Sequence, residues 1–388
     1  MGKHPDKFCI LPFISTSIGT NGLVRPCCEY PTEKAFGSMH ENSLNEILNG
    51  EKAQQLKAEM NSGLGSANCQ YCYDIEATGN ESKRTLNLKK YSLPKNADET
   101  IIKYLDIRFS NQCNFACRTC MPSASTSWYQ DATILSRGKF IDPGVVKPTK
   151  VDQELFDQLD QHVHTLEEVY FAGGEPLQES NHYEFLDKLL EKERTDIRLL
   201  YTTNFSSLRF KTKKVTDYWN QFKTVNVNLS LDDFGIRGEY IRKGLKYKTF
   251  VENLKTLRKE SPHVKVSIAT AVSLLNVFSL PDFLLHLSEE LQFKSNQVTL
   301  DFVFDPDLYS IRVLPAALKD QLKAKYQTAV IPENFRYHLD KVISYLDLED
   351  HSFLWNKFIS YTKALDQIRS ESILDFIPDY KEAFSEKK

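Results

Sequence analysis

The chain reads as an α/β protein: a partial barrel of six strand–helix units with a parallel sheet, a small cysteine-rich module before it and a helical region after it. Three observations predict this. Short runs rich in β-branched and aromatic residues alternate with helical patterns from Ile101 to about Asp305. Several of those runs end in small or ligand-capable residues. All eight cysteines lie at or before Cys120. Six units are too few for a closed eight-fold barrel, and strand–helix alternation is the pattern of a parallel sheet.

The strands are expected at 103–109, 168–172, 197–203, 224–231, 263–272 and 297–304, each rich in Val, Ile, Leu, Phe, Tyr or Thr. Between them Val151, Leu155, Phe156, Leu159 and Val163 recur at helical spacing, as do Tyr183, Phe185, Leu186, Leu189 and Leu190. The stretches 213–222, 237–259 and 280–291 behave the same way, and Ser43 to Glu59 reads as a helix. Composition shifts place a module at 1–73, a polar linker at 74–100, the barrel at 101–310 and a helical extension at 311–388 whose aromatics read as core. His162 and His164 are expected on a helix surface, and the last residues, 385–388, are expected to fray.

Of the 388 residues, 41% are hydrophobic and 26% charged, enough apolar material for a sizeable core. With 49 basic and 52 acidic residues the net charge is −3, which gives no electrostatic footprint for nucleic acid or a membrane surface. No run of eighteen apolar residues exists to span a bilayer. Residues 1–6 lack a signal-peptide apolar stretch, so a cytoplasmic protein is expected.

The cysteines form two groups separated by a polar stretch, as two metal sites would. Cys113, Cys117 and Cys120 share one short loop, with three and then two residues between them. Three thiolates so close can converge on one polynuclear centre and leave one of its irons open. A structural zinc ion needs a fourth ligand, and no Cys or His follows within forty residues. The loop follows the first strand, where α/β barrels collect their active sites.

Other strand ends add to that rim. The second ends in Gly173, Gly174 and Glu175, where two glycines admit a ligand close to backbone and a carboxylate suits an ammonium group. The third ends in Thr203 and Asn204. The fourth ends in Ser230, Leu231 and Asp232, with Arg242 in the helix beyond. Asp232 could take ribose hydroxyls and Arg242 a ligand carboxylate. Asn276 follows the fifth strand.

Together these residues resemble the radical S-adenosylmethionine enzymes over about 101–305. The resemblance implies that Cys113, Cys117 and Cys120 hold a 4Fe–4S cluster and that S-adenosylmethionine occupies its open iron. It also implies that Gly173, Gly174 and Glu175 hold the methionyl amine, Ser230 and Arg242 the carboxylate, and Asp232 the ribose. One departure stands out: Thr119 occupies the place before the third cysteine, where the family commonly has an aromatic residue. Cys9, Gly22, Cys27 and the Cys69–Cys72 pair resemble the SPASM/twitch module, usually found after the barrel. That likeness implies an auxiliary 4Fe–4S cluster on Cys9, Cys27, Cys69 and Cys72. Gly22 suits a hairpin turn that joins Cys9 to Cys27. A four-cysteine zinc knuckle is the alternative, and Cys28 is either an alternative ligand or a buried thiol.

The implied activity is cleavage of S-adenosylmethionine to a 5′-deoxyadenosyl radical that takes a substrate hydrogen. The expected substrate is a peptide or protein side chain or a small alcohol or sugar, with flavodoxin or ferredoxin as reductant. An RNA-modifying radical enzyme and a non-catalytic iron–sulfur or zinc scaffold are the alternatives. A scaffold has no use for the residues at 173–175, 203–204 and 230–232.

Overall fold

The computed structural model describes residues 7–77, 81–93, 101–138 and 153–385. The helix position Val151, parts of the expected linker and residues 1–6 and 386–388 lie outside the described residues. The chain forms two compact units. The first is 1–111, 146–201 and 217–225; the second is 112–145, 202–216 and 226–388.

In the first unit, β1 (Ser15–Ile18), β2 (Leu23–Arg25) and β3 (Gly37–Ser38) come from the cysteine-rich segment. They join β4 (Tyr104–Ile107), β5 (Glu168–Phe171) and β6 (Arg198–Thr203), in the order β6-β5-β4-β1-β2-β3. β1 pairs in parallel with β4, Ser15 opposite Tyr104 and Ile18 opposite Ile107, and antiparallel with β2. The β1–β2 turn rests on Gly22 at φ 75°, a left-handed conformation that glycine adopts without steric cost. Leu105, Ile107, Val169, Phe171, Leu199 and Tyr201 are buried. α6 (Gln153–Asp160) and α7 (Ser180–Glu191) supply more of this core, as Leu155, Phe156, Leu159, Phe185, Leu186 and Leu189 are buried too.

The helix expected at Ser43–Glu59 is two helices, α1 (Leu44–Asn49) and α2 (Glu51–Ser62), broken at Gly50. A reciprocal capping box between Ser43 and Glu46 starts the first. α3 (Gln70–Ala77) carries Cys72, and α4 (Lys83–Lys90) lies within the stretch read as a linker. His162 is not a surface residue: it sits in the turn after α6, buried, its ring 3.0 Å from Asn45 Oδ1. Burial lowers its pKa.

The second unit holds the later strands, β7 (Thr224–Ser230), β8 (Lys265–Val272) and β9 (Val298–Phe302), with β7–β8 and β8–β9 pairs parallel. β6 and β7 both begin in the first unit and end in the second. The six parallel strands appear where the sequence puts them, and the barrel is partial. α5 (Tyr129–Arg137), α8 (Gly235–Ile241), α9 (Tyr247–Glu260) and α10 (Leu280–Glu289) follow the expected pattern, except that 237–259 is interrupted at Arg242. From Ala316 to Ser385 the chain is mostly helical, with α11 (Ala316–Thr328), α12 (Arg336–Leu346) and α13 (Trp355–Arg369). Among the described residues no helix is long and apolar enough to cross a membrane.

Candidate iron–sulfur centres

In the second unit Ala116–Cys117 pairs antiparallel with Arg242–Lys243, so Arg242 stands opposite Cys117. Its Nη1 reaches Cys117 Sγ at 3.9 Å, within the range of a contact to sulfur. Both oxygens of the buried Asp232 face the same guanidinium: Nη2 donates to Oδ1 at 3.0 Å, and Nε is 2.9 Å from Oδ2, an ion contact not aligned as a hydrogen bond. Asp232 Oδ1 also accepts from Ala271 N at 2.9 Å, and Asn276 Nδ2 donates to Asp232 O at 2.8 Å. Asn204 Nδ2 donates to Asn114 Oδ1 at 2.9 Å and approaches Cys113 Sγ at 3.7 Å. Thr203 Oγ1 accepts from Phe205 N at 2.9 Å, fixing the turn at the strand's end. Ser230 is half-buried at the end of β7.

The three thiols lie within electrostatic reach of one another. Burial raises the Cys117 pKa, Arg242 opposes the rise, and Cys120 and Cys113 add to it. Burial likewise pushes Cys120 up to about 11. Thiols so raised keep their protons in the bare chain, and metal binding must displace them.

Four residues that the sequence reading missed hold this loop. Trp128 Nε1 donates to Cys117 O at 2.8 Å, Ser127 Oγ to Cys113 O at 2.7 Å and Ser125 Oγ to Phe115 O at 2.6 Å. Arg118, wholly buried between two of the cysteines, has its guanidinium 3.7 Å from the Tyr240 ring centre. Its Nη2 pairs with Asp366 at 2.6 Å and Glu371 at 2.7 Å, one at the end of α13 and one just beyond it. The Ser-rich stretch after Cys120 was a readable signal. Nothing local marks Arg118, whose partners lie about 250 residues away.

The other group lies wholly in the first unit. Cys9 and Cys72 are buried, and Cys27 and Cys69 pack against a core cluster that includes Phe8, Ile10, Leu56, Met60 and Tyr91. Burial pushes Cys9 and Cys69 up to about 12, with nearby thiols contributing. Cys27 is raised for the same first reason, and Cys9 acts on it. Arg84 of α4 ties the group together: Nη1 donates to Phe8 O at 2.7 Å, and Nε donates to Glu76 of α3 at 2.9 Å. Cys28 is engaged by Lys83 and also acts electrostatically on Cys27. Its sulfur accepts from Lys83 Nζ at 2.9 Å, and the charges acting on it are Lys83, Asp106 and Glu29.

Also in the first unit, Gly173 has φ 115°, and a Cβ there would lie 2.9 Å from Ser110 O. Gly174 N donates to that same carbonyl at 3.1 Å. Glu175 is buried, with Oε1 accepting from Leu177 N at 3.0 Å. Among the described residues no three Cys, His, Asp or Glu side chains converge as tightly as a single ion requires.

Two groups of cysteines, one in each unit, thus sit on a mostly parallel α/β scaffold. The chain carries a radical SAM superfamily domain over 107–273 and, ahead of it, the iron–sulfur cluster-binding SPASM domain over 9–73. The first domain implies a 4Fe–4S cluster with S-adenosylmethionine, and the second an auxiliary iron–sulfur cluster. The chain is 30% identical over 139 residues to a GTP 3′,8-cyclase of Campylobacter curvus, covering 34% of this chain and 35% of that protein. A GTP 3′,8-cyclase of Helicobacter pylori is 28% identical over 132 residues, again covering 34% and 35%. The match thus spans about a third of the length of these curated relatives. Among solved structures, anSMEcpe with bound AdoMet and a peptide matches at 18% identity and a TM-score of 0.41, covering 58% of each chain. Streptococcus suis SuiB bound to its precursor peptide SuiA matches at 14% and 0.35, covering 96% of this chain and 74% of that one.

Proposed function

We propose that this chain cleaves S-adenosylmethionine at the Cys113–Cys117–Cys120 cluster and uses the resulting radical on a peptide or protein side chain, or on a small alcohol or sugar. The observation that carries the reading is the thiol trio itself. Three sulfurs share one loop, and the carboxylate that acts on Cys117, Asp232, is already engaged by Arg242 and Ala271 N. Bound there, the cluster would supply one electron to cleave the sulfonium to a 5′-deoxyadenosyl radical, which takes a hydrogen atom from the substrate.

The chain's own residues hold and orient. Arg242 is fixed by Asp232, so its charge stays near Cys117 without rotamer freedom, suited to a methionyl carboxylate. Ser230 adds a hydroxyl in the second unit, and Asp232 would act on ribose or through Arg242. Asn204 holds the Cys113 side of the loop, and Thr203 fixes the turn that carries Asn204. In the first unit, Gly173, Gly174 and Glu175 offer open backbone and a carboxylate for the methionyl amine. Cys9, Cys27, Cys69 and Cys72 would fully ligate an auxiliary cluster that passes electrons. A flavodoxin or ferredoxin is the proposed reductant and the cytoplasm the proposed compartment.

Anaerobic reconstitution tests this. About eight irons per chain are expected for two cubes, and dithionite with S-adenosylmethionine should yield 5′-deoxyadenosine. Iron-replete protein that forms no nucleoside refutes the proposal.

A further inference from the structure

The inner face of the first unit's sheet carries polar groups that the proposed cofactor chemistry leaves unused. The register sets Ser15 beside Tyr104 and Ser17 beside Asp106, and alternation along β4 brings Arg108 to the same face just past the strand's end. Asp106 is 1% exposed, and its Oδ2 has no hydrogen-bond partner among the described residues. The hydroxyls of Ser15 and Ser17, buried on the neighbouring strand, also find no partner among the described residues. A buried polar group left unsatisfied lowers stability, so three on one patch are retained at a real expense.

Arg108 completes the patch. Its Nε is 3.3 Å from Asp106 Oδ1, and its side chain, 29% exposed, is the most open of the four. Lys83 adds a second cation, its Nζ 5.4 Å from the centre of the Tyr104 ring. The backbone of Gly173 packs directly on Arg108: a Cβ on Gly173 would lie 3.1 Å from Arg108 Cβ. The polar strip therefore adjoins the turn proposed to hold the methionyl amine.

We propose that Asp106, Arg108, Ser15 and Ser17 form the anchoring site for the substrate of the radical reaction, an inference that rests on the function proposed above. Arg108 presents a planar fork matched to an oxyanion. Asp106 Oδ2 and the Ser17 hydroxyl accept from an N–H or O–H close to that oxyanion. The substrate class is a small molecule or peptide end in which an oxyanion adjoins a hydrogen-bond donor. The oxyanion can be a carboxylate, as in a dipeptide, or a phosphate, as in a nucleoside triphosphate.

The test uses the full reconstituted chain, titrated calorimetrically with glycylglycine in one arm and guanosine triphosphate in the other. Binding of glycylglycine weakened at least tenfold by Arg108→Gln supports the site and assigns the carboxylate. The same loss for guanosine triphosphate supports it and assigns the phosphate. Asp106→Asn should weaken the bound probe while leaving any binding of plain acetate or inorganic phosphate unchanged. If Arg108→Gln does not fold, Arg108→Lys keeps the charge, loses the fork and carries the same comparison. Failure of both probes to bind wild type, or equal binding to the Arg108 variant, overturns the proposal. Nucleoside formation by wild type without either probe is measured in parallel. Its absence would sink the radical reading, whereas the binding arms judge the anchor alone.

Discussion

The two cysteine groups solve one problem in opposite ways. The group at Cys9, Cys27, Cys69 and Cys72 is set in an apolar cluster, its sulfurs drawn from two segments 42 residues apart in sequence (27 to 69) and braced by Arg84. The Cys113–Cys120 group spans eight residues of one loop and is bordered by polar partners, Arg242 and Asn204. A closed ligand set needs only enclosure. A set with an open corner needs directed groups around it to receive a second molecule, and those groups must be held by others, as Asp232 holds Arg242.

The largest expected effect separates the two. Replacing Cys113, Cys117 or Cys120 by Ala should reduce 5′-deoxyadenosine formation to background. Replacing Cys9 and Cys72 should remove about four of about eight irons, spare much of the uncoupled cleavage and stop product formation. Nucleoside lost equally in both sets would break the contrast.

The bracing arginines come next. Arg118→Ala leaves Asp366 and Glu371 without their buried partner and should cost about 3–5 kcal/mol of stability. Arg84→Ala removes a similar brace with more solvent nearby and should cost about 1–3 kcal/mol. Denaturant unfolding of the two variants, with iron content alongside, gives the ranking. The reverse order would mean that the closed group depends more on its brace.

Gly173→Ala follows. Its φ of 115° and the 2.9 Å approach to Ser110 O leave no place for a methyl group without backbone movement. Strain of about 1–3 kcal/mol at this turn should weaken S-adenosylmethionine binding about tenfold, read by equilibrium dialysis, while the iron count stays at the wild-type value.

The smallest effect is a pH dependence beside Asp232. Burial holds the Asp233 carboxyl up to about 6, against an ordinary 3.8, with Arg237 and Ser279 as partial compensation. A carboxyl raised on folding contributes stability that is fully present below its unfolded value and lost as pH rises through its folded one. Asp233→Asn should therefore gain on wild type between pH 4 and 7, by about 1 °C in melting temperature per kcal/mol for a chain of this length, with no further change above. A gap that stays constant with pH would show that the carboxyl titrates normally.

Much of this was legible in the sequence. The six parallel strands announce themselves through β-branched runs, because a buried parallel strand needs apolar side chains on its packed face. The cysteine spacings pointed to both groups without a structure. β1 escaped notice because Ser15-Thr16-Ser17 is polar and its partner, β4, is 89 residues on. Arg118 escaped because its carboxylates lie about 250 residues away in sequence, and Arg84 because the backbone carbonyl it braces, Phe8 O, is 76 residues back, although Glu76 is close. His162 looked like a surface residue until Asn45 of α1 came to meet it.

The pairing of β1 with β4 has a practical consequence. Sequence families draw a border between residues 73 and 107, yet hydrogen bonds stitch the segment ahead of that border into the sheet behind it. A fragment beginning at residue 101 would bare the flank of β4 along its whole length and invite another chain to pair there. Excision at the family border should yield an aggregating product, and grafting the early segment onto a different barrel would require a matching open flank.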